Sequence, residues 1–560
     1  MTDFVTGFRT RPRQDRTLTY LADGRQPVEL THAELDRRAR SVAIWLRSTG
    51  LADRPVLLLY PAGLDFLTAF LGCLYAGAVA VPAPLPMSAA SRVDRVDRLI
   101  EDSGARLVLT SAAHVEALSH LSAKTFDDTS DPDLWQPAEV RPDTLAYLQY
   151  TSGSTGHPRG VEVTHGGLTH NLELFAKVSG DTPVRRIAGW LPHHHDMGLV
   201  GLLLQALHAE ADLVLLSPEA VIARPIRWLR AISDHRADWT VAPDFGYSWT
   251  TRRVGDADLA ELDLSCLTMA VSGAEPIRIS TLNAFADRFA PAGFRRSALN
   301  PGYGLAESTL VVTCTKRGRG PTVRTFTPRS LAAGKVVLAP EGDGVPLVGC
   351  GEPDGGMAVC VVDPATTQEV QDGTIGEVMV AGPSLAAGYY RDSAATSATF
   401  ITRPDGRWLR TGDLGMLFEG QLYVTGRLKE LLIVNGRNLY PQDIEIAARE
   451  AHPAASNGAA FGVQDADSGE HVVLVQEMRR AAQGDPGEFA AAVLHAVTSQ
   501  FGVSASIVVV KSNAVRHTTS GKVRRKHMRE LFLDGSLPAL HSVLTPAVAA
   551  AARTLENPHG

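Results

Sequence analysis

Residues 144–160 read TLAYLQYTSGSTGHPRG. A short apolar run, the pattern of a buried strand, passes straight into a loop of glycine and hydroxyl residues. From Tyr150 to His165 there are three glycines, five serines or threonines, and Arg159. Glycine permits tight turns and lets a ligand approach the backbone. Successive peptide N–H groups in such a turn cradle an anion, and hydroxyls add rotatable donors. The stretch therefore predicts a phosphate-bearing ligand at a strand end in an α/β fold, although a surface loop of turn formers would use the same letters. No Gly-Lys-Ser/Thr follows, so it is not the common nucleotide loop. It also lacks the G-x-G-x-x-G of a dinucleotide fold.

Outward from this loop, strand and helix signals alternate. RPVLLLY, ARLVLT, ADLVLLS, ADWTVA, CLTMAVSG and RRSALNPGYG read as strands, and LDFLTAFLGCLYAG as a helix ending near Gly77. Short branched strands between helical segments predict layered α/β structure with mostly parallel sheets. From about Pro346, MAVCVVD, GEVMVAG, QLYVTG and KELLIVNG alternate with glycine turns, giving a β-rich part. Beyond Gly426, a helix at PQDIEIAAREAH, a strand at HVVLVQEMRR, a helix at GEFAAAVLHAVTSQFG and a strand at ASIVVVK outline a small α+β domain. The expected division is a large N-terminal domain over 1–426, with a β-rich subdomain at about 346–426, and a small mobile C-terminal domain over 427–560.

A chain of 560 residues exceeds a single core. Its formal net charge of −7 gives no general case for nucleic acid. Five cysteines without a C-x-x-C pair, and an N-terminus without an apolar signal segment, suggest a reducing cytoplasm. The most apolar long stretch, residues 198–217, is interrupted by His208, Glu210 and Asp212. It reads as a buried helix and strand, so no integral membrane segment is expected.

Further motifs extend the phosphate argument. LNPGYGLAESTL (299–310) sets Tyr303, Gly304 and Glu307 after a strand. A carboxylate beside phosphates suits Mg²⁺, and Tyr303 offers a stacking face. AVSGAEPI (270–277) is a strand ending in a turn whose backbone can rim a purine pocket. Asp413 lies in a Thr-Gly-Asp turn, where a carboxylate can accept from ribose hydroxyls. Arg427 and Lys429 fall at the domain joint, and Lys522 follows a Ser-Gly turn in a basic run. A lysine there reaches a neighbouring cleft as a point charge.

YTSGSTGHPRG, GYGLAE, TGDLG, GRLKELLIVNGRNLYPQDIE and SGKVRR occur in this order over about residues 20–530. The set resembles the adenylate-forming superfamily of acyl-CoA synthetases, luciferases and peptide-synthetase adenylation domains. GWLPHHHDMGLVG, VNGRNLYPQDIE and the long span at about 316–349 resemble its fatty acyl-AMP ligase branch. That resemblance implies ATP and Mg²⁺, a carboxylic acid converted to an acyl-adenylate, and transfer to an acyl carrier protein. It implies that the insertion restrains domain motion and disfavours coenzyme A. The acyl-CoA synthetase and the stand-alone amino-acid adenylation enzyme remain as alternatives. No carrier domain is visible in the sequence after the small domain, so the thiol is expected on a partner or a small molecule.

By the same resemblance, Thr151, Ser152, Gly153, Ser154, Thr155 and Gly156 wrap the phosphates, and Thr151 and Glu307 serve the metal. Gly273, Ala274, Glu275, Tyr303 and Gly304 line the adenine pocket, Asp413 and Arg427 hold the ribose, and Lys429 is the hinge. Lys522, Glu307 and Arg427 are the catalytic set, with Lys522 bridging carboxylate and phosphate. His195, Asp244 and Phe245 border the acid. Arg159 stands where many members have lysine. Asp244 stands where the branch often has asparagine; a buried carboxylate there needs a partner, expected in Arg252, Arg253 or a polar substrate.

Overall fold

The computed structural model describes residues 3–11, 14–50, 54–86, 93–151, 158–340, 343–434, 437–465, 469–479, 484–517 and 523–549. Its large part is built on two sheets. One runs in the order Leu107–Thr110, Val56–Tyr60, Ala80–Pro84, Leu145–Thr151, Arg159–Thr164, parallel except at the last pair. The other has eight strands, ordered Val311–Cys314, Leu299–Gly304, Met269–Ser272, Trp239–Ala242, Arg186–Gly189, Asp212–Leu215, Thr17–Tyr20, Val28–Thr31. Only its two edge pairings are antiparallel. Val56–Tyr60, Trp239–Ala242 and Met269–Ser272 are buried at every residue. This is why they read as unbroken apolar runs: helices cover both faces of a parallel sheet.

Local signals set the helices. Thr31 and Glu34 form a reciprocal capping box that starts His32–Ser48. Gly77, at φ 78°, ends Leu64–Ala76 in the left-handed conformation that glycine adopts without a Cβ penalty. The apolar stretch resolves as expected into helix and then strand. Its helix carries a π-helical segment at Leu199–Leu204 before Gln205–His208.

The β-rich part is an antiparallel sheet of Ala358–Val362, Gly376–Ala381, Gly406–Phe418 and Phe400–Arg403, with Gln421–Arg427 paired to Gly406–Phe418. Within residues 316–349, Val323–Phe326 pairs with Val345–Val348 around the short helix Pro328–Ala332. Phe326 is fully buried, with its ring 5.3 Å from Phe418 and 6.0 Å from Tyr423. Val336 and Ile375 add backbone bonds to Gly373 and Gly334, at 2.8 and 2.7 Å. The inserted span is thus packed onto the β-rich sheet, and its short helix adjoins the strand Arg437–Leu439.

Ala455–Asp465, Gly469–Met478, Ala505–Lys511 and Ala539–Val543 form a second α+β unit with Pro441–Glu450, Pro486–Phe501 and Arg525–Leu533. Its two apolar clusters use only residues from Leu432 onward, whereas the largest cluster runs from Phe4 to Leu422. Leu432–Val434, which read with the preceding β-rich part, belongs to this smaller core. Across the joint, Gln442 Nε2 donates to the Thr425 carbonyl at 3.0 Å.

Candidate active site

The candidate residues gather at the carboxyl ends of parallel strands, where open α/β sheets bind ligands. Trp190, Gly273 and Gly304 end or directly follow three strands of the eight-stranded sheet, and Asp244 starts a helix one intervening residue after a fourth. Thr151 and Arg159 are register partners at the mouth of an antiparallel pair, so the glycine loop bridges two adjacent strand ends. Ser152, Gly153, Ser154, Thr155 and Gly156 lie outside the described residues, as does Lys522.

Tyr303 ends a strand, and its hydroxyl donates to Asp413 Oδ2 at 2.7 Å. Asp413 and Arg427 are directly opposed in the hairpin Gly406–Phe418/Gln421–Arg427, and Arg427 Nε lies 3.0 Å from Asp413 Oδ1. Asp413 is buried, while Arg427 keeps 57% of its side-chain surface. The Asp413 carboxylate raises the pKa of Arg427, and Glu307 adds to the effect. Burial and then the Asp413 charge push the Tyr303 phenol far up, so it stays a donor. Glu307 sits in the turn Ala306–Ser308 and accepts from Tyr389 at 2.8 Å. Lys429 occupies the next short turn, Leu428–Glu430, and is exposed.

After the strand Met269–Ser272 the backbone bends sharply, with Ala274 at φ 66°. A Cβ on Gly273 would come 3.1 Å from the Gly302 carbonyl, so the two strand ends approach as closely as glycine allows. Glu275 accepts from the backbone N–H of Phe245. Phe245 meets Trp190 edge-on at 6.0 Å. His195 caps the short helix Asp196–Gly198, 4.6 Å ring to ring from His194. His193 packs against Phe66 at 3.9 Å, and burial lowers its pKa to about 3.

Asp244 corrects an expectation. Its fully buried carboxylate pairs with Arg278, not with Arg252 or Arg253. Oδ1 accepts from the Arg278 N–H at 3.0 Å, and Oδ2 accepts from Thr281 at 2.9 Å and Arg278 Nη1 at 3.3 Å. These bonds anchor the start of Ile279–Phe289, so the charge is spent inside the protein. Arg253 instead stacks on Trp249, and Arg252 Nε donates to the Ser248 carbonyl.

The fit to a nucleotide rests on chemistry present here. A buried carboxylate already organised by a phenol and a guanidinium suits two hydroxyls. A second carboxylate within electrostatic reach suits a hard cation beside phosphates.

The profile of the AMP-binding enzyme family matches residues 8–390. The chain belongs to the AMP-binding enzyme family. This AMP-binding enzyme is 37% identical over 551 residues to the medium-chain-fatty-acid–(acyl-carrier-protein) ligase JamA of Moorena producens (strain JHB), with 93% of each chain covered. A structure from studies of fatty acyl-adenylate ligases of E. coli and L. pneumophila superposes with TM-score 0.86 at 31% identity, over 95% of this chain and 97% of that one. The fatty acyl-adenylate ligase of L. pneumophila in complex with acyl adenylate and pyrophosphate matches with TM-score 0.75 at 32% identity, covering 97% and 98%. The resemblance to the fatty acyl-AMP ligase branch is thereby borne out. Tyr389 and Arg278, which contact the candidate residues Glu307 and Asp244, were marked by no motif. Their roles depend on contacts between segments far apart in the chain.

Proposed function

We propose that this chain is an AMP-forming ligase that joins a fatty or related carboxylic acid to AMP. It releases pyrophosphate and then passes the acyl group to the phosphopantetheine thiol of an acyl carrier protein. The observation that carries the reading is the Tyr303–Asp413–Arg427 cluster, set beside Glu307 and the mouth of the glycine loop.

In this reading Asp413 accepts from the ribose hydroxyls while Tyr303 and Arg427 hold it oriented. The residues 273–275 and the Tyr303 ring border the adenine, and Thr151 with the loop residues Ser152–Gly156 holds the phosphates. Glu307, with Thr151, would hold Mg²⁺, which when bound neutralises phosphate charge. Lys522 bridges the carboxylate and the phosphate oxygens, where negative charge accumulates as two anions meet. The acid is already ionised at neutral pH, so no general base is needed. His195 and Phe245 border the acid, Lys429 is the hinge, and the joint between the large and small domains falls near residue 427.

The inserted span supports a carrier protein as acceptor. It is anchored on the β-rich sheet, and its short helix lies beside the strand Arg437–Leu439 of the small domain. Rotation toward a free thiol ligand must disturb that contact, and a carrier protein can offset the cost with its own surface. The five cysteines are free thiols, and no helix of the described residues is long and apolar enough to cross a membrane. A cytoplasmic setting fits both.

The test is acid-dependent pyrophosphate exchange over a panel of fatty, aryl and amino acids. Thioester formation is then compared on a phosphopantetheinylated carrier and on coenzyme A. Silence across the panel from folded protein overturns the ligase reading, and efficient coenzyme A ligation by the intact chain overturns the carrier assignment.

A further inference from the structure

Tyr389 lies in the segment Gly382–Asp392, which is laced to two parts of the site at once. On one side, Glu162 N donates to the Gly388 carbonyl at 2.9 Å, Ala387 N to Glu162 at 2.8 Å, and Tyr390 N to Gly160 at 2.8 Å. These bonds fix the segment along the strand that leaves the glycine loop. On the other side, Ala386 N donates to the Glu307 carbonyl at 2.9 Å, and Thr309 Oγ1 donates to the Ser384 carbonyl at 2.8 Å. The Tyr389 backbone is thus held relative to both the loop's downstream foot and the glutamate turn.

Its side chain completes the link. The hydroxyl donates to Glu307 Oε1 at 2.8 Å. The Arg159 guanidinium lies 5.4 Å from the ring centroid, and Phe400 packs edge-on at 5.9 Å. Arg159 is itself steadied by Asp392, Nε to Oδ2 at 3.8 Å, beside a cleft of about 260 Å³.

A glutamate on a short turn can swing about its own torsions. A donor bound to one oxygen removes that freedom and leaves the other oxygen for a cation. We infer that Tyr389 is a positioning residue: through its hydrogen bond to Oε1 it orients the Glu307 carboxylate so that Oε2 is presented to the divalent cation beside the phosphates. This rests on the assignment of Glu307 as a cation ligand. Outer partners of metal-ligating carboxylates typically change metal affinity about 10–100-fold when removed.

The experiment uses the full chain saturated with α,β-methylene ATP, with Mn²⁺ titrated and free Mn²⁺ read by electron paramagnetic resonance. Tyr389→Phe keeps the ring and its packing. It should unfold within a few degrees of the wild type, bind Mn²⁺ about tenfold more weakly, and raise the Mg²⁺ concentration giving half-maximal pyrophosphate exchange by a similar factor. Its rate at saturating Mg²⁺ should return to near the wild-type value. Glu307→Gln should weaken Mn²⁺ binding further. Weak binding in Glu307→Gln with wild-type binding in Tyr389→Phe overturns the positioning role alone. Unchanged binding in Glu307→Gln overturns the ligand assignment beneath it. A Tyr389→Phe rate that excess Mg²⁺ does not restore, with Mn²⁺ affinity intact, also overturns the inference.

Discussion

Asp244 and Arg278 form an ion pair of unequal burial: the aspartate side chain has no exposed surface, while the arginine side chain keeps 30% of its own. Burial raises the pKa of Asp244, and the charge and N–H of Arg278 hold it down. Asp244→Ala strands the Arg278 N–H and the Thr281 hydroxyl, and should cost about 2–4 kcal/mol in urea unfolding. Asp244→Asn keeps an acceptor and should cost less. Neither change should reorder the preference among acids, because the carboxylate is spent on Arg278 and Thr281.

Asp413→Asn keeps the shape of the ribose cluster and removes its charge. Arg427 then loses its partner, and the hydroxyls lose an ionised acceptor. A charge-assisted hydrogen bond is worth about 1.5–3 kcal/mol. The KM for ATP in pyrophosphate exchange should therefore rise about 10–100-fold, with little change in the unfolding midpoint. An unchanged KM would remove Asp413 from the nucleotide site.

Lys522→Ala should leave the unfolding midpoint in place while adenylation falls by orders of magnitude. The lysine is expected to act on charge developing in the transition state, so its loss should lower kcat and kcat/KM together. Near-normal adenylation would remove it from the chemistry.

His32 and His193 are buried neutral, with pKa values lowered by burial to about 4 and about 3. The unfolded chain takes up protons at both once the pH drops below about 6.5, while the folded chain does not. Their contribution to stability is present above that value and is lost as the pH falls toward 4. His193→Phe also removes a buried Nε2 that has no hydrogen-bond partner among the described residues. Its unfolding midpoint should fall less steeply than the wild type's between pH 6.5 and 4, and parallel curves would exclude His193 as a source of acid sensitivity.

Much of the large part was legible because its strands are buried on both faces and its helices carry local caps, as Thr31, Glu34 and Gly77 show. Asp413 and Arg427 were each readable from their turns. Their pairing was not, because the hairpin around Glu419 and Gly420 shifts register between Leu414 and Gly415, and a plain count along the strands sets Asp413 opposite Gly426. The partner of Asp244 could not be found this way. Arg252 and Arg253 share its helix, but at about 1.5 Å per residue they lie roughly 12 Å further along it. Arg278 arrives from another strand end. Tyr389 escaped for the same reason, since its meaning depends on a glutamate 82 positions away in the chain.

The gap between the two sets of apolar clusters bears on synthesis. The largest cluster ends at Leu422, with Val424 packed on its flank, and the later clusters begin at Leu432. Domains emerging from the ribosome generally fold as units, N-terminal first. The large part can therefore bury its main core without waiting for the residues of the later clusters to emerge. A released truncated product that ends between Val424 and Leu432 should be a folded large part without its small domain, rather than an aggregation-prone fragment.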